Sequence, residues 1–268
     1  LDALRESART LRPRVLLCET ISNPLVKVCD IETCAEIARQ VGARLIIDNT
    51  FASPILCHPL ELGADFSVHS ATKYLSGHAD AMGGIVIARE EFDMTALIGA
   101  MKLIGGILSP WEAHSILRGI KTLALRMERQ CRNAFDLAKH LSLHKAIKRV
   151  HYPALQPGHA LSRIIRDDIN SNFGGAILSI QLADDTREGA FRFMNRLQLC
   201  VCATSLGDVF TGALHPATVS HREVSPAQRQ RLGISDGLVR LSLGIENVAD
   251  IIADVDQALE SVKQKASA

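Results

Sequence analysis

The chain has 268 residues, 47% of them hydrophobic, and a net charge of +1 with acids and bases interspersed. That length favours two domains, and the apolar content is ample for a sizeable core. The near-neutral balance and the 4% aromatic content exclude a nucleic-acid footprint built on basic patches and base stacking, and no apolar run reaches the ~18 residues that a membrane span needs.

Leu1 to Arg14 carries both signs of charge and no apolar signal core, so it does not read as a secretory leader. It lacks an initiator methionine and opens inside an amphipathic pattern, as expected of a piece of a longer protein. Arg14 to Glu19 reads as a short buried strand. Asp30 is placed to cap a helix whose apolar face is Ile31, Cys34, Ile37, Ala38 and Val41, with Gly42 ending it. Leu45 to Asp48 is the next strand, a helical turn surrounds Pro59 to Gly63, and strands follow over Phe66 to His69 and Gly83 to Ala88. Near-continuous apolar strands joined by helical crossovers predict a parallel sheet covered on both faces. Ligands of such sheets bind beyond the carboxyl ends of the strands, where Glu19, Asp48 and Ser70 would line one rim.

A long helical stretch from Pro110 to His144, punctuated by Gly119, is expected to bridge to a second domain of α+β character. Strands over Ala176 to Leu182 and Leu238 to Leu243 and helices over Thr186 to Leu197 and Asn247 to Lys263 would build it. The seven cysteines are scattered and odd in number. Neither Cys29 with Cys34 nor Cys200 with Cys202 makes a CxxC pair, so reduced thiols are expected rather than disulfides or a metal site. Cys200 and Cys202 read as alternate residues of a buried strand.

The chemistry concentrates around Lys73, at the end of Phe66-Ser67-Val68-His69-Ser70-Ala71-Thr72-Lys73-Tyr74. A lysine leaving a buried strand loses hydration, which favours the neutral, nucleophilic amine. Ser70 and Thr72 beside it are hydroxyls suited to an anion such as phosphate. Asp48 closes the preceding apolar strand with a carboxylate, and Asn23 follows the first. A Schiff-base lysine together with a carboxylate facing a ring nitrogen is the pairing that pyridoxal 5'-phosphate (PLP) needs. The signatures GxGxxG, GxxxxGK[ST] and HExxH are absent, which disfavours a nucleotide-binding domain using Asp48. Gly233-Ile234-Ser235-Asp236-Gly237 fits the string GxSxG, but a polar segment precedes it and a strand follows, the reverse of a nucleophile elbow, so it reads as a turn.

Five stretches resemble the Cys/Met-metabolism (cystathionine γ-synthase-like) PLP enzymes of fold type I, in the family's order over essentially the whole chain. They are Glu19 to Pro24, Asp48 to Pro54, His69 to His78, Ser205 to Asp208, and Gly237 to Gly244. The resemblance implies an α/β fold, with a mainly parallel sheet sandwiched by helices (1–122, the C-terminal part of a large PLP-binding domain) and a smaller α+β domain (123–268). It implies Lys73 as Schiff-base lysine and proton carrier, Asp48 at the pyridine nitrogen, Asn23 at the ring hydroxyl, and Ser70 and Thr72 on the phosphate. Arg240 is implied as the clamp on the substrate α-carboxylate, assisted by Ser205. His78, His215 and His221 are given only packing or local hydrogen bonding. The family's N-terminal part, with a phosphate loop and a ring-stacking tyrosine, has no counterpart here. The implied activity is γ-elimination on methionine or cystathionine, toward which the neutral Thr204 and Asp208 lean. The alternatives are γ-replacement, as in cystathionine γ-synthase or O-acylhomoserine sulfhydrylase, and an inactive fragment holding half a site. A cytoplasmic homotetramer, a dimer of dimers acting on a small amino acid, is implied, with no metal, nucleic-acid or membrane partner.

Overall fold

The computed structural model describes residues 1–155 and 173–263, with side chains as far as residue 260. The chain divides into two compact units: Leu1–Ser22 with Val28–Leu123, and Asn23–Lys27 with the described residues from Ala124 onward.

The first unit is built on a four-stranded sheet of order β1 (Val15–Glu19), β2 (Arg44–Asp48), β3 (Phe66–Ser70) and β4 (Gly84–Ala88). β1, β2 and β3 are parallel, with Glu19 opposite Asp48 and Asp48 opposite Val68, so their carboxyl ends share one rim. After α1 (Asp2–Leu11), the crossover helix α2 (Ile31–Val41) joins β1 to β2. Its N-cap is Asp30, whose carboxylate accepts the Thr33 N–H, and Gly42 ends it at φ 72°. One expectation is corrected here. β4 runs antiparallel to β3, because the connection between them contains no crossover helix. Leu45, Ile47 and Ser67 are buried, while Val15, Leu17 and Val86 on the other face are exposed, Leu17 at 67%. Among the described residues β1 stands at one end of the strand order.

The Pro110–His144 stretch is two helices, α5 (Pro110–Ile120) and α6 (Leu123–Leu141). Lys121 and Thr122 each donate to the carbonyl three residues back, a tightened last turn that ends α5 beyond Gly119. α4 (Glu91–Ile104) was not legible in the sequence: its apolar residues are spread round the helix, so no single apolar face marks it. A short helix α3 (Ser53–Leu56) precedes the turns over Pro59 to Gly63.

The second unit carries a five-stranded sheet of order β5 (Ile147–His151), β6 (Ile177–Leu182), β9 (Leu238–Ser242), β8 (Gly212–Leu214) and β7 (Val201–Cys202). It is antiparallel except for the β7–β8 pair. Its core joins Leu178, Ile180, Val239 and Leu241 of the sheet to residues of α6, Phe193 of α7 (Arg187–Arg196) and Val255 of α9 (Val248–Lys263). The cysteine reading fails here. Cys200 is buried but precedes the strand, and Cys202 is exposed on a two-residue edge strand with one neighbour. Gly233–Gly237 is a turn between α8 (Pro226–Leu232) and β9, as expected.

Candidate active site

In the first unit the ends of β2 and β3 are tied by main-chain donors and short polar side chains. The Asp48 carboxylate accepts the Thr50 N–H at 2.9 Å, and the Thr50 hydroxyl accepts the Ser70 N–H at 2.9 Å. Asn49, fully buried, accepts from the Thr20 hydroxyl at 2.7 Å and donates to the Ser53 and Cys57 carbonyls, which fixes the loop that leaves β2. Alternation along paired strands puts Asp48, Val68 and Ser70 on the half-exposed face, and Ile47, Ser67 and His69 on the buried one. Burial holds the His69 imidazole below its ordinary pKa, and the Asp48 carboxylate only partly opposes this.

Lys73 lies three residues past Ser70, in a wide turn over Ala71–Leu75 in which the Ser76 N–H reaches back to the Ala71 carbonyl. Lys73 itself breaks the helical path, at φ −92° and ψ −127°, and is half-buried. The Thr72 hydroxyl accepts the Gly83 N–H at 3.0 Å and lies 3.4 Å from the Gly83 carbonyl. Its present work is to tie the lysine turn to the start of β4. α5 presses on the same turn through Gly119, where an added Cβ would lie 2.1 Å from the Ser76 carbonyl oxygen.

Asn23, Ser205 and Arg240 form a separate hydrogen-bonded group in the second unit. Arg240, on β9 and 2% exposed, donates from Nη1 to Asn23 Oδ1 at 3.2 Å and from Nη2 to the Ser205 carbonyl at 3.0 Å. The Ser179 hydroxyl donates to the Pro24 carbonyl at 2.6 Å, which holds Asn23–Lys27 to the same sheet. Burial and the Arg240 charge both lower the His221 pKa. The buried His215 lies between the Thr218 hydroxyl and the Asp236 carbonyl, and His78 contacts the Ser76 carbonyl.

The family of Cys/Met metabolism PLP-dependent enzymes matches residues 2–260. The chain belongs to this family. An L-methionine gamma-lyase of Fusobacterium nucleatum subsp. polymorphum is 42% identical over 261 residues, 96% of this chain and 65% of that relative. A crystal structure of cystathionine gamma synthase from Xanthomonas oryzae pv. oryzae, in complex with aminoacrylate and cysteine, superposes with a TM-score of 0.91. That pair is 36% identical over 97% of this chain and 66% of the other. A chain from Campylobacter jejuni subsp. jejuni solved with N'-pyridoxyl-lysine-5'-monophosphate is 31% identical, with a TM-score of 0.86 over 92% of this chain and 66% of its own. The chain thus spans just under two thirds of the length of these relatives.

Membership makes PLP the cofactor and fold type I the fold. The donor set in the first unit fits that cofactor: a carboxylate at one strand end, and a hydroxyl and an amine at the next. Sequence reasoning missed Asn49, Thr50 and Gly119. The first two lie inside a stretch already singled out, yet only their hydrogen bonds reveal that they position Asp48 and Ser70.

Proposed function

We propose that the chain belongs to a PLP-dependent lyase that cleaves the Cγ–S bond of a sulfur amino acid, methionine or cystathionine, giving a 2-oxo acid, ammonia and a thiol. When bound, PLP supplies an electron sink for negative charge at the substrate Cα. Lys73 Nζ holds the cofactor and, once released, takes the Cα proton and carries it within the site, a general-base role typically worth ~10²–10⁴-fold. Asp48 keeps the pyridine nitrogen protonated, with its carboxylate fixed by the Thr50 N–H. Ser70 binds the phosphate. The same role for Thr72 rests on resemblance alone, because its hydroxyl is engaged at Gly83. Arg240 clamps the α-carboxylate with its planar fork, Ser205 supports that clamp, and Asn23 meets the ring oxygen.

The observation that carries this reading is the backbone break at Lys73, three residues past the strand whose last N–H is tied through Thr50 to Asp48. The test is borohydride reduction of the PLP-loaded chain followed by peptide mapping. The pyridoxyl mass is expected on Lys73, and Lys73→Ala is expected to lose both the adduct and turnover. Turnover retained by that variant would refute the role.

The likeness to a cystathionine γ-synthase favours γ-replacement as a second reading. Offering O-acylhomoserine with a thiol, against methionine or cystathionine alone, separates the two. A cytoplasmic homotetramer belongs to the same proposal, and sedimentation checks the assembly. No described helix is long and apolar enough to cross a membrane.

A further inference from the structure

Three thiols converge in the first unit at a place where no reading of the site uses them. The sulfurs of Cys18, Cys29 and Cys34 all lie within 4.8 Å of one another, and Cys29 and Cys34 are 3.6 Å apart. Cys18 is in register with Ile47 on β1, so it points to the opposite sheet face from Glu19 and Asp48. Cys29 is placed by its N–H donating to the Thr20 carbonyl, next to the Ile21–Val28 bridge. Cys34 sits in the first turns of α2, fixed by the Asp30 cap. Three independent pieces of backbone thus deliver three soft donors to one point.

We infer that Cys18, Cys29 and Cys34 form a thiolate site for a thiophilic divalent cation of the zinc class, separate from the cofactor site. Tetrahedral zinc with Zn–S bonds of ~2.3 Å holds its sulfurs about 3.8 Å apart, close to the spacing present here. Cys34 is buried while Cys18 and Cys29 are half-buried, which leaves an approach for the ion and a fourth position for water. On binding, the thiol protons leave to solvent and three S–metal bonds replace the S–H bonds, with no change of oxidation state. The consequence is a clamp between β1 and α2, adding stability that grows with ion concentration over Kd.

The test uses the full PLP-loaded chain, reduced and stripped of metal, titrated with Co²⁺ and then Zn²⁺. Thiolate-to-cobalt charge-transfer bands with tetrahedral ligand-field absorption should saturate at one ion per chain and be displaced by Zn²⁺. Cys18→Ser, Cys29→Ser and Cys34→Ser should each weaken binding roughly tenfold or more. Cys57→Ser, a buried thiol elsewhere in the unit, should titrate as the parent does. Circular dichroism of each metal-free variant checks its fold. A second measurement needs no variant: Zn²⁺ should protect these three cysteines, and not Cys202, from alkylation mapped by mass. Unchanged alkylation with Zn²⁺ present, cobalt bands that persist in the triple serine variant, or a Cys29–Cys34 disulfide forming in the presence of Zn²⁺ would overturn the inference.

Discussion

Gly119→Ala tests whether α5 sets the position of the lysine turn. In an unobstructed helix interior, alanine is favoured over glycine by ~1 kcal/mol through backbone entropy. At Gly119 the new Cβ would meet the Ser76 carbonyl oxygen at 2.1 Å and the Leu75 carbonyl oxygen at 2.6 Å. Both are main-chain atoms just past Lys73, so no side chain can swing aside, and α5 or the turn must move by roughly 1 Å. Overpacking of this kind costs about 1–3 kcal/mol, occasionally more, and outweighs the propensity gain. Gly99 in α4 is the matched control: it is exposed, and a Cβ added there would meet nothing within 4 Å. Gly99→Ala should stabilise by ~0.5–1 kcal/mol. Urea midpoints of the PLP-loaded chains should therefore shift in opposite directions, and the Gly119 variant should also trap less pyridoxyl on Lys73. If Gly119→Ala raised the midpoint as Gly99→Ala does, and trapping were unchanged, the reasoning would fail.

Asp48→Asn keeps an oxygen for the Thr50 N–H but loses the charge, so the urea midpoint should stay within ~0.5 kcal/mol while kcat falls about 10²-fold or more; a wild-type kcat would remove Asp48 from the site. Arg240→Ala should raise KM with the cofactor still trapped on Lys73. It should also destabilise by about 1–3 kcal/mol for each acceptor stranded at Asn23 and Ser205, and an unchanged KM would count against the clamp. His151 is brought down to about 4, first by burial and then by the Arg149 and Lys27 charges. Its folded value lies below its unfolded one, so the unfolded chain binds the proton more readily, and stability is lost as pH falls from about 6.5 towards 4. The shift corresponds to about 3 kcal/mol at most. The difference in urea stability between wild type and His151→Phe should slope across that window, and parallel curves would dismiss the effect.

What the sequence made legible was local. The apolar runs ending in Glu19, Asp48 and Ser70 define strand ends, and a parallel register puts those ends at one rim without further information. Asp30 and Gly42 bracket α2 because capping chemistry acts within a turn of the chain. α4 escaped notice because apolar residues on every side of a helix leave no periodic signature. The β4 direction escaped it because a run of apolar residues reads the same in either orientation.

The rest of the site depends on pairings that no local pattern encodes. Arg240 meets Asn23 across 217 positions, and Ser179 meets Pro24 across 155. Asn23 reads in sequence as a neighbour of the first strand's rim, yet it packs with the second unit, where its side chain accepts from Arg240. The cysteines make the same point at shorter range. Cys29 and Cys34 are spaced C-x4-C, but no second ligand pair follows them closely in sequence; α2 starts where Asp30 caps it, and that start turns Cys34 towards Cys29 and the strand bearing Cys18. A spacing rule presumes that one loop supplies both ligands. Where a strand, a loop and a helix each supply one, only the packing of those elements determines whether the donors converge.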